Sequence, residues 1–264
     1  MNFIDPFISM PKMNIKTYLE RIHYQGEVKP DLATLRRLQQ AHMRSAPFEN
    51  LSIHYKQPII LEEDLLFKKI VEKKRGGFCY ELNGLFSKLL QEIGFKVTKL
   101  SAGVAKSDGT FGPEFDHLTL LVHLDQDYLV DVGFGDSFQQ PLLFNQRGEQ
   151  NQGERSYQIV QDGEAFVLME QNNLDEKPKL QAQYRFALQA YELADYSEMC
   201  KYHQSCPEST FTQKRICSRA TPEGRISLSD LTLIITENNE RQETELISEE
   251  EFLKALKKFF DIEL

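Results

Sequence analysis

Apolar residues in the first third of the chain recur at the three- and four-residue spacing of amphipathic helices. One apolar face covers residues 15–22 and stops before Gly26, and a second follows Asp31, which can cap the helix that begins there. A third helix is predicted from about Leu61, with acidic residues at its start and basic residues at its end, the order that stabilises the helix dipole. This part of the chain is therefore predicted to be helical.

A fourth helix is predicted to start at or just before Cys79. Its apolar stripe between residues 82 and 93 is clear, and Gly94 suits the C-terminal stop. We therefore expect residues 1–94 to form a helical bundle that ends with this helix.

After residue 95 the pattern changes to the two-residue period of strands. Strands are predicted over 96–105, 117–124, 128–134, 156–161, 165–170 and 181–188. Turn signals such as Asp162-Gly163 separate these strands. Many short strands joined by short turns favour an antiparallel sheet or barrel, which we place at residues 95–189.

The remaining part, residues 190–264, mixes both periods. A helix is predicted over 190–204, strands are predicted near 211–219, 225–229 and 231–236, and a last helix has Ser248 and Glu251 as a possible capping box. The acidic tract 237–250 is predicted to be a solvated hairpin or loop. The predicted fold class is α+β, in three parts.

The composition is that of a globular protein, with 41% hydrophobic and 27% charged residues among 264. A formal net charge of −9 argues against nucleic-acid binding, which needs a basic face, and against anionic membrane surfaces. No apolar run approaches the roughly 20 residues of a transmembrane helix, and residues 1–14 lack the pattern of a signal peptide. We expect a cytoplasmic protein without nucleic-acid or membrane partners.

Cysteine usage agrees with that compartment. The four cysteines, at positions 79, 200, 206 and 217, are too few and too loosely spaced for a disulfide framework in a chain of this length. They form no CxxC pair, so we predict no metal site. Free thiols are the default in a reducing compartment, and one of them has surroundings that suggest chemistry.

The stretch RGGFCYELN, residues 75–83, places Cys79 directly after two glycines and at the start of a helix. Glycines allow a tight turn, and the positive helix N-terminus favours the thiolate. Arg75 could add positive potential or be a surface residue. Taken alone, Cys79 could equally be a buried small apolar residue.

A cysteine nucleophile needs a base, and the predicted strands supply a histidine and a carboxylate. His117 begins one strand, and Asp131 lies in the next, where burial would be costly without a partner. An imidazole is the natural partner, since the carboxylate would fix its tautomer and direct its other nitrogen at sulfur. Separately, His117 could be a satisfied barrel histidine and Asp131 a strand-end or turn residue, but the combination with Cys79 favours a triad.

The expected hairpin register leaves these two side chains apart. If residues 125–127 form the turn, Leu124 pairs with Tyr128, and His117 and Asp131 lie four residues out of register. That offset is about 13 Å at about 3.3 Å per residue. Contact then requires a slipped register, strong bending or a bulge.

Other candidates are weaker. Asp116 should point to the face opposite that of His117, and His203 has no clear partner in the sequence. The three remaining cysteines lack a glycine-rich context at a helix start, and we interpret them as structural.

Three blocks in this order, RGGFCYELN, FDHLTLLV and VDVGFGD, resemble the arylamine N-acetyltransferase family. YLERIHYQG, LATLRRLQQAH and PFENLSI resemble its N-terminal helices, and ESTFTQKRICSRATPEGRISLSD resembles its C-terminal region. The resemblance covers nearly the whole chain, and the length suits a bacterial member.

The resemblance implies a helical bundle, a β-barrel, and a third part at 190–264 made of an interdomain helix and an α/β lid, with a core like that of cysteine proteases and transglutaminases. Cys79, His117 and Asp131 match the family's triad without substitution. The implied partners are small molecules: acetyl-CoA as donor, and an arylamine, arylhydrazine or N-hydroxyarylamine as acceptor. The implied mechanism is ping-pong, through an acetylated Cys79.

The resemblance also implies a set of binding residues. Phe134 matches the acceptor-pocket phenylalanine, although core packing would explain it equally well, and Phe211 is a candidate second aromatic wall. Phe78 and Tyr80, on either side of the nucleophile, are assigned to substrate binding.

The loop 107–112 could meet CoA phosphates through backbone amides, so it and the VGFG block supply the predicted cofactor-binding residues. These residues are Gly109, Thr110, Gly112 and Gly135. A plain connection between strands is the alternative for the loop, since it lacks the full phosphate-loop pattern.

Two other functions remain open on the sequence. An amide synthase or other cysteine acyltransferase of the same fold could share the triad and differ in its pocket, whereas a papain-like protease lacks its CGSCW-like run. A non-enzymatic binding protein would have an unreactive Cys79. The sequence does not determine the physiological amine, the oligomeric state, or whether the role is xenobiotic metabolism or biosynthesis.

Overall fold

The computed structural model describes residues 13–264, and it is an α+β structure built from helices, a nearly closed eight-stranded antiparallel barrel and a second five-stranded sheet. The predicted fold class is confirmed. The signal-peptide prediction concerns residues 1–14, most of which lie outside the described residues.

Eight α-helices occur in the described residues. They are α1 (Ile15–Arg21), α2 (Leu32–Ser45), α3 (Leu51–His54), α4 (Glu63–Phe67), α5 (Cys79–Ile93), α6 (Ser197–Ser205), α7 (Thr210–Gln213) and α8 (Glu249–Phe260). A π-helical turn, Lys68–Glu72, continues α4, and a 3-10 turn, Leu193–Tyr196, precedes α6. Among these residues no helix combines the length and the apolar composition that a bilayer crossing requires.

The predicted helix ends are confirmed where side-chain chemistry sets them. Asp31 Oδ1 accepts the Thr34 N–H at 2.8 Å, and Gly94 ends α5 with φ of 109°. Ser248 Oγ accepts the Glu251 N–H at the start of α8. Caps and stops are local, which is why the sequence alone could place them.

Thirteen strands are present in residues 13–264. They are β1 (Phe48–Glu49), β2 (Lys96–Val104), β3 (His117–His123), β4 (Asp127–Val130), β5 (Leu142–Leu143), β6 (Gln150–Gln152), β7 (Arg155–Asp162), β8 (Ala165–Asn172), β9 (Gln181–Tyr191), β10 (Ile216–Ala220), β11 (Gly224–Ser229), β12 (Thr232–Glu237) and β13 (Glu240–Glu245).

The barrel has the strand order β5-β4-β3-β2-β9-β8-β7-β6, so β5 and β6 are its two edges. Side-chain amides join these edges. Gln150 Oε1 accepts the Leu143 N–H at 2.8 Å and its Nε2 donates to Leu143 O at 3.0 Å. Gln152 bonds in the same way to the backbone of Gln139 and Gln140. We call this junction the seam.

The five-stranded sheet has the order β1-β10-β11-β12-β13. Its first strand comes from the N-terminal part of the chain, where Phe48 pairs with Ser218 and Glu49 with Cys217. This sheet therefore ties the last quarter of the chain to the helical part. The three-part division at residues 94 and 189 stays a prediction.

Three predicted elements need correction, and a fourth is confirmed. The strand predicted over 128–134 ends at Val130, and the segment that begins the predicted strand 211–219 is helix α7. Residues 190–191 extend β9, and the helical structure begins only at Leu193. The acidic tract contributes β13, an exposed strand that forms a hairpin with β12, so the predicted hairpin is confirmed.

Helix α5 is buried on nearly every side because it lies between the other helices and the barrel. It packs against α1 and α4 on one side and against β2 and β3 on the other. The first turn of α5 therefore meets the barrel at the ends of its central strands, and this junction carries the candidate site.

Candidate active site

Cys79 is the first residue of α5, and its side chain is almost completely buried. The loop before it packs tightly against the chain after α2. A Cβ atom at Gly76 would lie 1.9 Å from Pro47 O, so only glycine fits there. The Cys79 N–H has no intrahelical acceptor at this position in a helix.

A buried network of charges holds this loop in place. Arg75 Nε donates to Glu49 Oε1 at 3.0 Å, and Lys69 Nζ donates to Glu81 Oε1 at 2.7 Å. Glu81 Oε2 in turn accepts the Phe78 N–H, one residue before the nucleophile. Arg75 is therefore neither a surface residue nor a free positive charge, since Glu49 neutralises it.

His117 and Asp131 are in direct contact. The His117 Nε2 atom lies 2.6 Å from Asp131 Oδ2, and both side chains are buried. The predicted separation is wrong because the hairpin register differs by two residues. Val122, not Leu124, pairs with Tyr128. With this register Asp131 follows β4 at the level of Thr119, a diagonal neighbour of His117.

Asp131 is kept ionised by its surroundings. Its burial opposes ionisation, but His117, the Asn83 amide and the Gly133 N–H together lower the pKa of this carboxyl. Asn83 Nδ2 donates to Asp131 Oδ1 at 2.8 Å, and the Gly133 N–H donates to the same oxygen at 2.9 Å. An anionic Asp131 can therefore hold a proton on the facing nitrogen of His117.

Asn83 is a site residue that the sequence analysis did not single out. It lies four residues after Cys79, on the same face of α5. Its side chain also donates to Leu118 O at 2.6 Å and accepts the Val132 N–H at 2.9 Å. The available signal was a polar amide inside the apolar stripe of a buried helix.

The Cys79 thiol does not ionise by virtue of its helix position alone. Burial raises its pKa above the ordinary value, the Leu118 N–H acts in the opposite direction, and Asp131 adds to the increase. This direction is opposite to the effect expected from a helix N-terminus by itself. A thiolate here needs a positive partner, and His117, which lines the same cavity and contacts Asp131, is the candidate.

A cavity of about 780 Å³ opens onto these residues. Cys79 and His117 line it, together with the rings of Phe48, Phe134 and Phe211. The Phe134 ring packs edge-on against His117 with centroids 5.1 Å apart, and the Phe211 ring lies 6.1 Å from that of Phe48. The structure thus places both predicted acceptor-pocket phenylalanines in the cavity wall.

Phe78 and Tyr80 do not line this cavity. Both side chains are fully buried, and the Phe78 ring packs edge-on against the rings of Tyr80 and Phe211. The Tyr80 hydroxyl donates to Phe115 O at 2.6 Å. Side chains next to Cys79 point away from it around the helix start, so both rings pack behind the wall, and a role of Phe78 and Tyr80 in substrate binding stays a prediction.

The predicted CoA residues also lie outside the lining of this cavity. The Thr110 hydroxyl donates to Asp108, and Gly109 has φ of 84° with open space where a Cβ would be. A Cβ at Gly112 would lie 2.0 Å from Asp116 Oδ2, and Gly135 lies against the Phe48 ring. Packing and turn geometry account for Gly112 and Gly135, and a role of these residues in CoA binding stays a prediction.

Within residues 13–264, no group of His, Cys, Asp and Glu side chains is arranged to hold a metal ion. The chemistry that this arrangement offers is a thiol, an imidazole oriented by a carboxylate, and an apolar aromatic cavity. These are the parts of a covalent acyl transfer.

Comparison with known proteins identifies close counterparts. The family model described as N-acetyltransferase matches residues 31–264. The arylamine N-acetyltransferase pineal gland isozyme NAT-3 of Gallus gallus is 34% identical over 275 residues, which cover 96% of this chain and 95% of that protein. The solved arylamine N-acetyltransferase from Salmonella typhimurium matches with a TM-score of 0.88 and 28% identity, over 94% of this chain and 90% of that one.

A relative with a different name is also similar. Proansamycin X synthase of Amycolatopsis mediterranei is 30% identical over 251 residues, which cover 92% of this chain and 95% of that protein. Similarity over the whole length therefore extends to proteins named for more than one reaction.

Proposed function

This chain belongs to the arylamine N-acetyltransferase family of acyltransferases, and we propose that it transfers an acetyl group from acetyl-CoA to an arylamine, arylhydrazine or N-hydroxyarylamine. The observation that carries the proposal is the contact between His117 and Asp131 in a cavity wall shared with Cys79. This arrangement orients an imidazole to accept one proton and to return it in each half of the reaction.

In the first half, Cys79 attacks the acetyl carbonyl of acetyl-CoA. His117 takes the thiol proton on the nitrogen that does not face Asp131, and the anionic carboxylate stabilises the resulting imidazolium. Because burial raises the pKa of the thiol, Cys79 depends on His117 to remove its proton as it attacks. We propose the Cys79 N–H, at the start of α5, as a donor to the developing oxyanion. CoA leaves as its thiol after taking a proton from His117.

In the second half, the acceptor amine attacks the acetylated Cys79. His117, neutral again, accepts the amine proton and returns it to the cysteine sulfur. The rings of Phe134 and Phe211 provide flat apolar walls for an aromatic acceptor. We assign the reaction to the cytoplasm, where thiols remain reduced. The identity of the acceptor amine would decide whether the role is xenobiotic metabolism.

A second candidate function is amide synthesis by the same nucleophile, and a relative named as a synthase, Proansamycin X synthase, matches 92% of this chain. The two functions share the acyl-cysteine step and differ in donor and acceptor. They are separated by which acyl donor loads Cys79 and which amine removes the acyl group.

The test is intact-protein mass spectrometry after mixing the protein with acetyl-CoA in the absence of any amine. We expect one added acetyl group, located at Cys79 by peptide mapping, and its transfer to an added arylamine, which leaves free Cys79 and the N-aryl acetamide. The variant Cys79→Ser should show no labelling, because a serine hydroxyl is a poorer nucleophile with this base. The variant Cys206→Ser, at a half-buried free cysteine, is the matched control and should label normally.

Labelling that no arylamine removes would contradict the acceptor and favour the synthase function. A folded protein that acetyl-CoA does not label at all would contradict the donor. The variant His117→Ala should remain unlabelled on the timescale of the wild type, and full labelling of it would remove the imidazole from the mechanism.

A further inference from the structure

The cavity wall carries a second histidine and carboxylate, which the proposed mechanism does not use. His203 lies in α6 and Asp116 directly before β3, and both line the cavity. The His203 Nε2 atom lies 3.4 Å from Asp116 Oδ1. The other ring nitrogen, Nδ1, is 3.0 Å from Ser209 Oγ. The imidazole is thus held from one side and directs its Nε2 atom towards the carboxylate.

The Nε2 atom of His203 approaches Asp116 Oδ1 to 3.4 Å but makes no hydrogen bond that satisfies it in the described part of the chain. The residue is only 6% exposed, yet within residues 13–264 this nitrogen makes no hydrogen bond of good geometry. Buried polar atoms of native proteins nearly always have a partner. An unsatisfied nitrogen in the wall of a cavity therefore points to a ligand group.

Asp116 is the polar complement of this nitrogen. Its Oδ2 accepts the Val104 N–H at 3.1 Å, which leaves Oδ1 directed at His203. Burial opposes ionisation of Asp116, but His203 and the Val104 N–H outweigh it and lower the pKa of the carboxyl. The wall thus presents an anionic oxygen beside an imidazole nitrogen.

The pair adjoins the aromatic wall. The His203 ring packs perpendicular to that of Phe211, with centroids 5.1 Å apart. An aromatic acceptor stacked on Phe211 therefore brings its ring substituents to the edge of His203. The charged groups Lys106 and Glu208 also line the cavity, but both are exposed, so water screens them more than it screens the buried pair.

We propose that Asp116 and His203 form a subsite for a hydroxyl or amino substituent on the ring of the acceptor. The substituent donates a hydrogen bond to Asp116 Oδ1 and lies within reach of His203 Nε2. Both of these atoms thereby gain a hydrogen-bond partner. A carboxylate substituent is disfavoured, because it would lie against an ionised carboxylate. The inference rests on the proposed function and specifies its substrate class.

The experiment compares 4-aminophenol with 4-methylaniline, two neutral acceptors that differ by a hydroxyl and a methyl group. The rate at which each removes the acetyl group from Cys79 gives a hydroxyl-to-methyl ratio, and intrinsic reactivity cancels when variants are compared. Asp116→Asn and His203→Leu should each lower this ratio by about tenfold, the value of one hydrogen bond to a charged group. The ratio is measured on protein whose Cys79 is already fully acetylated, so the rate of acetylation by acetyl-CoA does not enter it.

Glu198→Gln is the matched control, since Glu198 is an exposed carboxylate on the same helix. An unchanged ratio in both cavity variants, or an equal change in Glu198→Gln, would overturn the subsite. A variant that fails to fold by circular dichroism leaves the other to decide. If wild-type Cys79 is not acetylated, the proposed function fails, and calorimetric binding of the two amines to the unmodified protein then tests the subsite through the same ratio.

Discussion

At the scale of single residues, one amide connects the nucleophile helix to the carboxylate that orients the base. Asn83 lies on the Cys79 face of α5 and bonds Asp131, Leu118 and Val132. It thereby fixes the distance between the first turn of the helix and the end of β4. Its contribution is positional, since it reaches the nucleophile only through the backbone of its own helix.

Replacing Asn83 with alanine should slow acetylation of Cys79 by about ten- to a hundredfold, because a misplacement near 1 Å costs that much in an oriented site. The unfolding free energy should fall by about 2–3 kcal/mol, because buried partners lose their bonds. Single-turnover labelling and urea denaturation measure the two effects. Asn145→Ala, at an exposed asparagine, is the control and should change neither.

An unchanged labelling rate in a destabilised Asn83→Ala would show that the amide serves stability alone.

Cys79 and Asp131 could be predicted from the sequence, because two glycines shortly precede Cys79 and apolar residues flank Asp131. Asn83 and His203 were not assigned, because the groups they bond come from distant parts of the chain.

At the scale of elements, local patterns predicted most helices and strands, whereas register depended on the turn. The β3–β4 hairpin closes with His123 opposite Asp127, and a 2.6 Å contact between their side chains fixes this pairing. Sequence alone allowed the turn to be placed two residues differently without moving any side chain to the other face. That shift decides whether His117 reaches Asp131.

The nucleophile loop is the element whose packing allows least change. The variant Gly76→Ala should have an unfolding free energy that is lower by about 1–3 kcal/mol, the range for overpacking. It should also lose most labelling of Cys79 by acetyl-CoA, since the new methyl group must displace the Pro47 carbonyl and the loop with it. Chemical denaturation and the labelling assay are the measurements.

Gly148→Ala provides the matched control, because a Cβ there meets nothing within 4 Å. It should retain stability and labelling. If Gly76→Ala matched Gly148→Ala in stability and in labelling, the close approach at Gly76 would not affect function.

At the scale of the whole molecule, the candidate site lies where three structures meet. Helix α5 supplies Cys79, the barrel supplies His117, and the chain that follows the barrel supplies His203 and Phe211. The sequence predicted the kinds of structure and their order. It did not predict that β1, from the N-terminal part, would join the C-terminal sheet, since a two-residue strand has no periodicity to detect.

The seam lets us separate the stability of the barrel from the chemistry. Gln150→Ala removes both side-chain bonds to the Leu143 backbone and should lower the unfolding free energy by about 1–3 kcal/mol. The rate of Cys79 acetylation should stay within about twofold, because no residue of the triad bonds the seam. Thermal and urea unfolding, with the labelling assay, test both parts.

The control is Gln161→Ala, at an exposed glutamine of β7, and it should change the unfolding free energy by less than about 0.5 kcal/mol. Equal stability of Gln150→Ala and Gln161→Ala would mean that the edges need no amide bridge.

The seam also divides the sequence into two parts. The three residues proposed for bond making all precede Leu143, whereas His203 and Phe211 follow Gln152. The chain crosses from one edge to the other through the exposed residues 145–149. Genetic recombination at this crossing would exchange His203 and Phe211 between relatives, while Phe134 and Asp116 would stay with the nucleophile. The family could thus change one wall of the acceptor pocket without rebuilding its acyl-transfer chemistry.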